Sequence, residues 1–145
     1  MPGTGVFPVN NIAFTVNTQG RTTPGAQAVV KDMETFSIAL DNGVEEWTPM
    51  DTEGWVRRLM TAKSMTVSLN GKRNYGDPGN DYVAGLAYKN GQDCNSVMEI
   101  TFPDGGKLVF DCVINVTEGG GDSTAVEALS FEAMSDGKPT YTAGV

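Results

Sequence analysis

The chain of 145 residues contains no histidine, only two cysteines and few charged side chains, which make up 19% of the sequence. Without histidine it cannot build a Ser-His-Asp or Cys-His catalytic group, or a metal centre with histidine ligands. The two cysteines, Cys94 and Cys112, lack the spacing of a zinc site, so we expect neither a metal nor another cofactor. Cys112 is in phase with Leu108 and Phe110 and is predicted to be a buried core thiol, while its pairing with Cys94 stays open.

Long apolar runs and basic clusters are absent as well. No run approaches the roughly 20 residues that a membrane-spanning helix needs, and residues 1–8 lack the features of a secretory signal. We therefore expect synthesis and folding in a reducing cytoplasm and no membrane partner. The net charge of −8 argues against a basic surface that binds phosphates, although an acidic wall would let DNA pass without sticking. Acidity that only keeps the protein soluble is the alternative.

The length suits one domain, and the many Gly, Pro, Asn, Ser and Thr residues favour a turn-rich β protein. We predict a mainly β (α+β) fold, an antiparallel β-sandwich or barrel with one flanking helix, a long loop and an extended N-terminal arm. The single domain spans 1–145. It divides into an arm with a first strand (1–32), a β core with a helix at about 81–90 (33–135) and a C-terminal tail (136–145).

Alternating apolar and polar residues predict the strands, which we place at 12–16, 33–40, 63–70, 97–102, 107–117 and 124–135. Asp41-Asn42-Gly43 predicts a hairpin turn. A short returning strand at 45–49 would end at Pro49, which cannot donate to a ladder.

Residues 50–61 show no clean period and are predicted to form a long loop. Trp55, Arg57 and Arg58 give this loop the composition of a contact surface. The alternative is that Trp55 covers the edge of the core and both arginines are solvated.

The helix at about 81–90 follows a Gly/Pro/Asn/Asp loop. Asn80 or Asp81 is expected to cap its first turn, and Asn90-Gly91 to end it in a left-handed conformation. Asp77 and Asp81 superficially resemble a calcium loop, but they lack its alternating ligands and terminal glutamate, so capping explains them better.

Three acids, Glu99, Asp111 and Glu132, fall in the outward phase of predicted strands. A carboxylate-only enzyme could use such groups, but any β-sheet protein offers a similar trio. Gly119–Gly121 leads into a strand and lacks the lysine of a phosphate-binding loop, which favours a flexible hairpin tip. We therefore do not expect an enzyme.

An ordered series of motifs runs through the chain: Glu46-Trp-Thr-Pro-Met-Asp51, Gly54-Trp-Val-Arg-Arg58, the stretch from Gly71 to Gly91, Phe102-Pro-Asp-Gly-Gly106 and Gly137-Lys-Pro-Thr-Tyr141. From about Met33 to Tyr141 the sequence resembles the major tail proteins, or tail tube proteins, of long-tailed bacteriophages. The resemblance implies a structural virion protein that is made in the bacterial cytoplasm. It would self-assemble into hexameric rings, stacked into a tube that carries DNA from capsid to host.

The resemblance also implies partners and residue roles. The partners would be the chain itself, the tape-measure, initiator and terminator proteins of the tail, and passing DNA that is not specifically bound. Trp55, Arg57 and Arg58 would make ring-to-ring contacts, and Glu99, Asp111 and Glu132 would face the lumen. Two alternatives stay open: an inner tube of a contractile tail, tailocin or secretion system, and a monomeric β-sandwich module that binds carbohydrate.

Overall fold

The computed structural model describes residues 4–21 and 26–144. Parts of the predicted N-terminal arm, residues 1–3 and 22–25, lie outside this description. The strands are β1 (Ala13–Asn17), β2 (Gln27–Val29), β3 (Met33–Trp47), β4 (Arg57–Lys72), β5 (Asn95–Thr101), β6 (Lys107–Gly120), β7 (Ala128–Ser135) and β8 (Thr140–Thr142). Helix α1 (Pro78–Gly85) continues as a 3-10 turn over Leu86–Tyr88, and short 3-10 turns occupy Val9–Asn11, Met50–Thr52 and Gly91–Cys94.

All the strands belong to one antiparallel sheet in the order β2-β1-β5-β6-β7-β4-β3, with β8 paired to the first residues of β6. One face of the sheet carries the core. Its fully buried side chains include Val16, Val67, Leu69, Met98, Ile100, Ile114 and Phe131, and α1 covers them through Val83. Alternation in the last third of the chain predicts a set of inward side chains, and all of them are buried or packed against the core: Met98, Ile100, Phe102, Leu108, Phe110, Cys112, Ile114, Val116, Leu129, Phe131 and Ala133.

The sheet curls on itself. Phe14 on β1 stacks on Phe36 on β3 with ring centroids 5.5 Å apart, although these strands lie near opposite ends of the strand order. The Lys72 N–H on β4 donates to the Asp32 carbonyl, just before β3, at 2.8 Å. The predicted fold class, a mainly β sandwich- or barrel-like structure with one flanking helix, is confirmed.

The predicted hairpin turn at Asp41-Asn42-Gly43 is wrong. These residues lie in the middle of β3 and pair with Ser64, Lys63 and Ala62 of β4. Turn-forming residues permit a turn without forcing one, and here a long cross-strand ladder overrides local preference. The returning strand at 45–49 is wrong for the same reason, because β3 runs on unbroken to Trp47.

The predicted loop at 50–61 is also too long. The connection between β3 and β4 covers only residues 48–56, and Arg57 begins β4. The register shifts between Gly43 and Val44, where Met60 and Ala62 of β4 flank an extra residue, Thr61. This bulge breaks the alternation of β4, and residues 57–61 therefore resemble a loop in the sequence.

The helix starts and ends earlier than expected. Asp77, rather than Asn80 or Asp81, is the N-cap, and its carboxylate accepts from the Asn80 N–H at 3.1 Å. Pro78 occupies the first turn, where its missing N–H costs nothing. The helical segment ends at Tyr88. Asn90-Gly91 instead begins the next 3-10 turn, with the Asn90 side chain accepting from the Gly91 N–H.

Asn80 is completely buried and joins three segments. Its amide nitrogen donates to the carbonyls of Lys31 and Lys72, each at 3.0 Å. Its amide oxygen accepts from the Asn74 N–H and the Arg73 guanidinium, also at 3.0 Å. The loop of the Gly71–Gly91 motif is thus fixed to β4 and to the segment that enters β3.

Strand boundaries also differ in the last third. β7 starts at Ala128 rather than residue 124, because residues 121–127 make the turn. The predicted tail contains β8, which pairs with Lys107–Val109.

Candidate assembly surfaces

A two-stranded ribbon projects beyond the sheet. β4 pairs with both β3 and β7 only from Thr66 to Gly71, so in the described residues Asp41–Trp47 and Arg57–Ser64 pair only with each other. We call these two segments the ribbon and the connecting residues 48–56 the tip. At about 3.4 Å per residue, the seven residues of β3 in the ribbon extend about 24 Å from the sheet.

The ribbon and tip expose an unusual amount of apolar surface. Seven large hydrophobic side chains are more than a third exposed there: Val44, Trp47, Met50, Trp55, Val56, Leu59 and Met60. A two-stranded ribbon with no third strand or helix against it is only marginally stable by itself. Exposed apolar surface of this extent is typical of a site of protein–protein contact.

The structure brings the three predicted contact residues to this projection, but only Trp55 lies in the loop. Trp55 is 78% exposed at the tip, so it does not cover the edge of the core. Arg57 lies on β4 opposite Trp47, with its guanidinium carbon 5.8 Å from the Trp47 ring centroid. Arg58 pairs with Glu46 across the ribbon, Nε to Oε1 at 2.6 Å, so the two charges balance within the ribbon.

The three predicted acids share the sheet face opposite the core. The cross-strand pairs Glu99↔Val109, Asp111↔Val97 and Glu132↔Asn115 place them on that face. Lys107 shares it and is paired with Glu99 at 3.2 Å. Glu132 accepts from the Asn115 amide, also at 3.2 Å. The face also carries apolar side chains, among them Val97, Val109 and Val113, and it keeps uncompensated negative charge. Its place in a lumen stays a prediction.

A groove of about 500 Å³ lies where the ribbon leaves the sheet, and we call it the root groove. It is lined by Leu40 and residues 60–65 on the ribbon side, and by Ser135 and Gly137–Pro139 on the other side. Lys63 and Lys138, both exposed, line this groove. In the ranges that the structure covers, neither lysine forms an ion pair. Sequence patterns did not predict this groove, because the predicted turn would have ended β3 before a ribbon could form.

Two titratable side chains of the described residues, Cys112 and Tyr75, have raised pKa values with a clear physical cause. Burial raises the pKa of the Cys112 thiol to about 12, and both cysteines are free and buried. The pKa of Tyr75 is raised because its hydroxyl donates to Glu127. No cluster of three or more His, Cys, Asp or Glu side chains that could hold a metal occurs among the residues described. No helix in that same part of the chain is long and apolar enough to cross a bilayer.

The strand order leaves both ends of the sheet open: in the described residues, β3 pairs only with β4 and β2 only with β1. An open edge offers unpaired N–H and C=O groups to another chain. Together with the exposed apolar ribbon, these edges define the class of the protein. It is a β protein whose open sheet edges and projecting apolar hairpin are available for contact with other chains.

Comparison with known proteins identifies the family. The model of a family described as "Phage tail tube protein" matches residues 10–144, nearly the whole chain. The chain therefore belongs to the phage tail tube protein family, as the motifs had indicated, and its place is the tail of a virion. No protein with a curated description matches the sequence.

Solved structures share the fold. The tail of an empty GTA particle, computed with helical refinement and C6 symmetry, has a TM-score of 0.79 at 14% identity, over 95% of this chain and all of that one. A chain of the virion of a native gene transfer agent (GTA) particle gives 0.76 at 13% identity, with the same coverage. The tube-terminating cap of the anti-feeding prophage gives 0.64 at 13% identity, over 99% of this chain and 95% of that one.

Proposed function

We propose that six copies of this chain join edge to edge into a ring, and that these rings stack into the tail tube through which DNA is delivered. The observation that carries this proposal is the pair of open sheet edges at β2 and β3 beside a projecting apolar ribbon. Backbone pairing between neighbours would satisfy the edge groups that one chain leaves open, as in other cases of strand addition. The C6 symmetry of the similar GTA tail supports a ring of six.

Stacking of rings is assigned to the ribbon and tip, with Trp55 as the main contact and Arg57 and Arg58 beside it. Trp55 is large, aromatic and exposed, which suits a residue that contributes strongly to an interface. Arg57 and Arg58 already interact with Trp47 and Glu46 and so hold the ribbon in shape. We assign them mainly a positioning role.

The acidic face is assigned to the lumen. Glu99, Asp111 and Glu132 lie on the face that the core does not use. Negative charge there would repel phosphates and let DNA slide past without binding. The tube would enclose a tape-measure protein and join an initiator and a terminator at its ends. No step in this function requires catalysis, so the proposed role is structural and not enzymatic.

The likeness to the anti-feeding prophage cap favours a second version of the same role, an inner tube of a contractile or secretion-type machine. A carbohydrate-binding module is less well supported. Trp55 stands exposed on the tip and Trp47 is held by Arg57 on the ribbon, which is an arrangement for a protein contact.

Negative-stain electron microscopy of concentrated and aged protein, with a fresh dilute sample beside it, tests the proposal. We expect hollow tubes or stacked rings with sixfold end views, and end views of another symmetry would refute the hexamer. Trp55→Ala should leave a folded monomer that forms no tubes, because the tip loses its largest apolar contact. Trp55→Phe, which keeps an aromatic ring, is the control. Tubes from Trp55→Ala as abundant as those from the unaltered chain would remove the tip from stacking.

A further inference from the structure

The root groove is open to solvent, and no described segment of its own chain fills it. Its floor includes Leu40, which is 60% exposed, and Met60, which is 46% exposed. Lys63 and Lys138 line the same groove without any ion pair in the described residues. An apolar floor with uncompensated positive charge fits an apolar segment that carries negative charge.

The tip has those properties. Met50 is fully exposed and Trp55 is 78% exposed, and Asp51 and Glu53 lie between them in the sequence. Neither acid forms an ion pair in the residues that the structure describes. Glu53 and Gly54 have φ values of +56° and +88°, which turn the chain sharply between the two apolar side chains. The tip thus presents an apolar pair and an acidic pair on one short turn.

Other exposed segments fit the groove less well. Residues 4–9 expose Val6, Phe7 and Val9 but contain no acidic residue. Residues 121–127 are acidic but expose only one large apolar side chain, Val126. Unlike these two segments, the tip combines apolar bulk with two carboxylates that form no ion pair in the described residues.

The tip lies beyond the groove of its own chain, because Met60, the groove residue nearest the tip, is separated by three residues, or about 10 Å of strand, from Arg57 at the end of the ribbon. We propose that the tip of one copy docks in the root groove of a copy in the next ring, with Trp55 and Met50 on the apolar floor and Asp51 and Glu53 against Lys63 and Lys138. Such a contact uses two different surfaces and repeats without closing, which is how a stack grows. This inference rests on the proposed tube and names the surface that receives the stacking hairpin.

Charge reversal on each side tests the contact. The groove variant is Lys63→Glu with Lys138→Glu, and the tip variant is Asp51→Lys with Glu53→Lys. All four side chains are exposed, so thermal unfolding should show native stability for both variants. The matched control is Lys31→Glu with Lys89→Glu, which makes the same charge change at two exposed lysines outside the groove.

Each reversed variant should raise the protein concentration needed for tube growth by about tenfold or more, since attraction becomes repulsion at both pairs. The control should assemble normally. Growth should return when groove and tip variants are mixed in equal amounts, and also in one chain that carries all four changes. Salt at about 1 M, where charges are screened beyond about 3 Å, should reduce the defect of the single-sided variants.

The outcomes separate the two claims. If the unaltered chain forms tubes and the groove variant assembles equally well, the docking site is wrong and the tube stands. If both variants fail but neither mixing nor the combined chain restores growth, the groove and tip do not meet each other and the inference is again overturned. If the unaltered chain forms no tubes under any condition, the proposed function itself fails.

Discussion

Asn80 is the position at which one substitution should most sharply test how this fold is held together. Replacing it with alanine removes four hydrogen bonds from a fully buried site. Three backbone groups would lose this hydrogen-bond partner: the Asn74 N–H and the carbonyls of Lys31 and Lys72. Arg73 would keep its ion pair with Asp81. A buried polar group left unsatisfied costs about 1–3 kcal/mol.

We therefore expect Asn80→Ala to lower the free energy of unfolding by about 3–5 kcal/mol, allowing for partial relaxation of three groups. This is a large part of the roughly 5–15 kcal/mol that a domain has in total. The midpoint of thermal unfolding should fall by roughly 10 °C for a domain of this size. Urea denaturation is the assay, and an unchanged slope would show that stability rather than compactness has changed.

Two further variants make this prediction refutable. Asn80→Asp keeps the shape of the side chain but removes both hydrogen-bond donors. If hydrogen bonding matters more than volume, this variant should also have a lower free energy of unfolding. Asn90→Ala is the control, because that side chain is exposed and accepts only from the Gly91 N–H. A loss at Asn80→Ala within about 1 kcal/mol of this control would refute the reasoning, since capping alone is worth about that much.

Two other predictions concern the core. Gly79→Ala places a methyl group against the Val29 carbonyl and should lower the free energy of unfolding by about 1–3 kcal/mol. In the same helix, the methyl group of Gly85→Ala meets no other atom and should raise the free energy of unfolding by up to about 1 kcal/mol. Similar urea midpoints for the two variants would contradict this prediction. Burial raises the pKa of Cys112 in the folded chain to about 12. Above about pH 9 the unfolded chain therefore loses its thiol proton while the folded chain keeps it. The free energy of unfolding should then fall as the pH rises, by up to about 1.4 kcal/mol per pH unit. Cys112→Ala should show a shallower decline, which comes from other groups with a raised pKa such as Tyr75 and Tyr82, and equal slopes in both chains would refute the prediction.

The sequence predicted some parts of the structure and missed others for identifiable reasons. Alternation found the inward faces of β5, β6 and β7, since each has one buried face and period two. It missed the ribbon because the decisive interaction, the pairing of β3 with β4 over their whole length, is not a local property. The bulge at Thr61 then concealed the start of β4, and the helix start was misplaced because Asp77, Asn80 and Asp81 are all acceptable caps by type.

For the candidate surfaces, composition pointed to Trp55, Arg57 and Arg58, and they do lie together on the projection. Strand phase placed Glu99, Asp111 and Glu132 on one face, which the register confirms. The root groove could not be found this way. Lys63 and Lys138 are far apart in sequence, and only the exit of the ribbon from the sheet brings them to one groove.

The two cysteines have a consequence for the life of the particle outside the cell. A virion leaves a reducing interior for oxidising surroundings, where exposed thiols form cross-links or are damaged. Both sulfurs here are sealed inside the subunit, and the reactive thiolate of Cys112 is suppressed. Oxidising surroundings should therefore neither cross-link the folded subunits through these thiols nor oxidise the thiols.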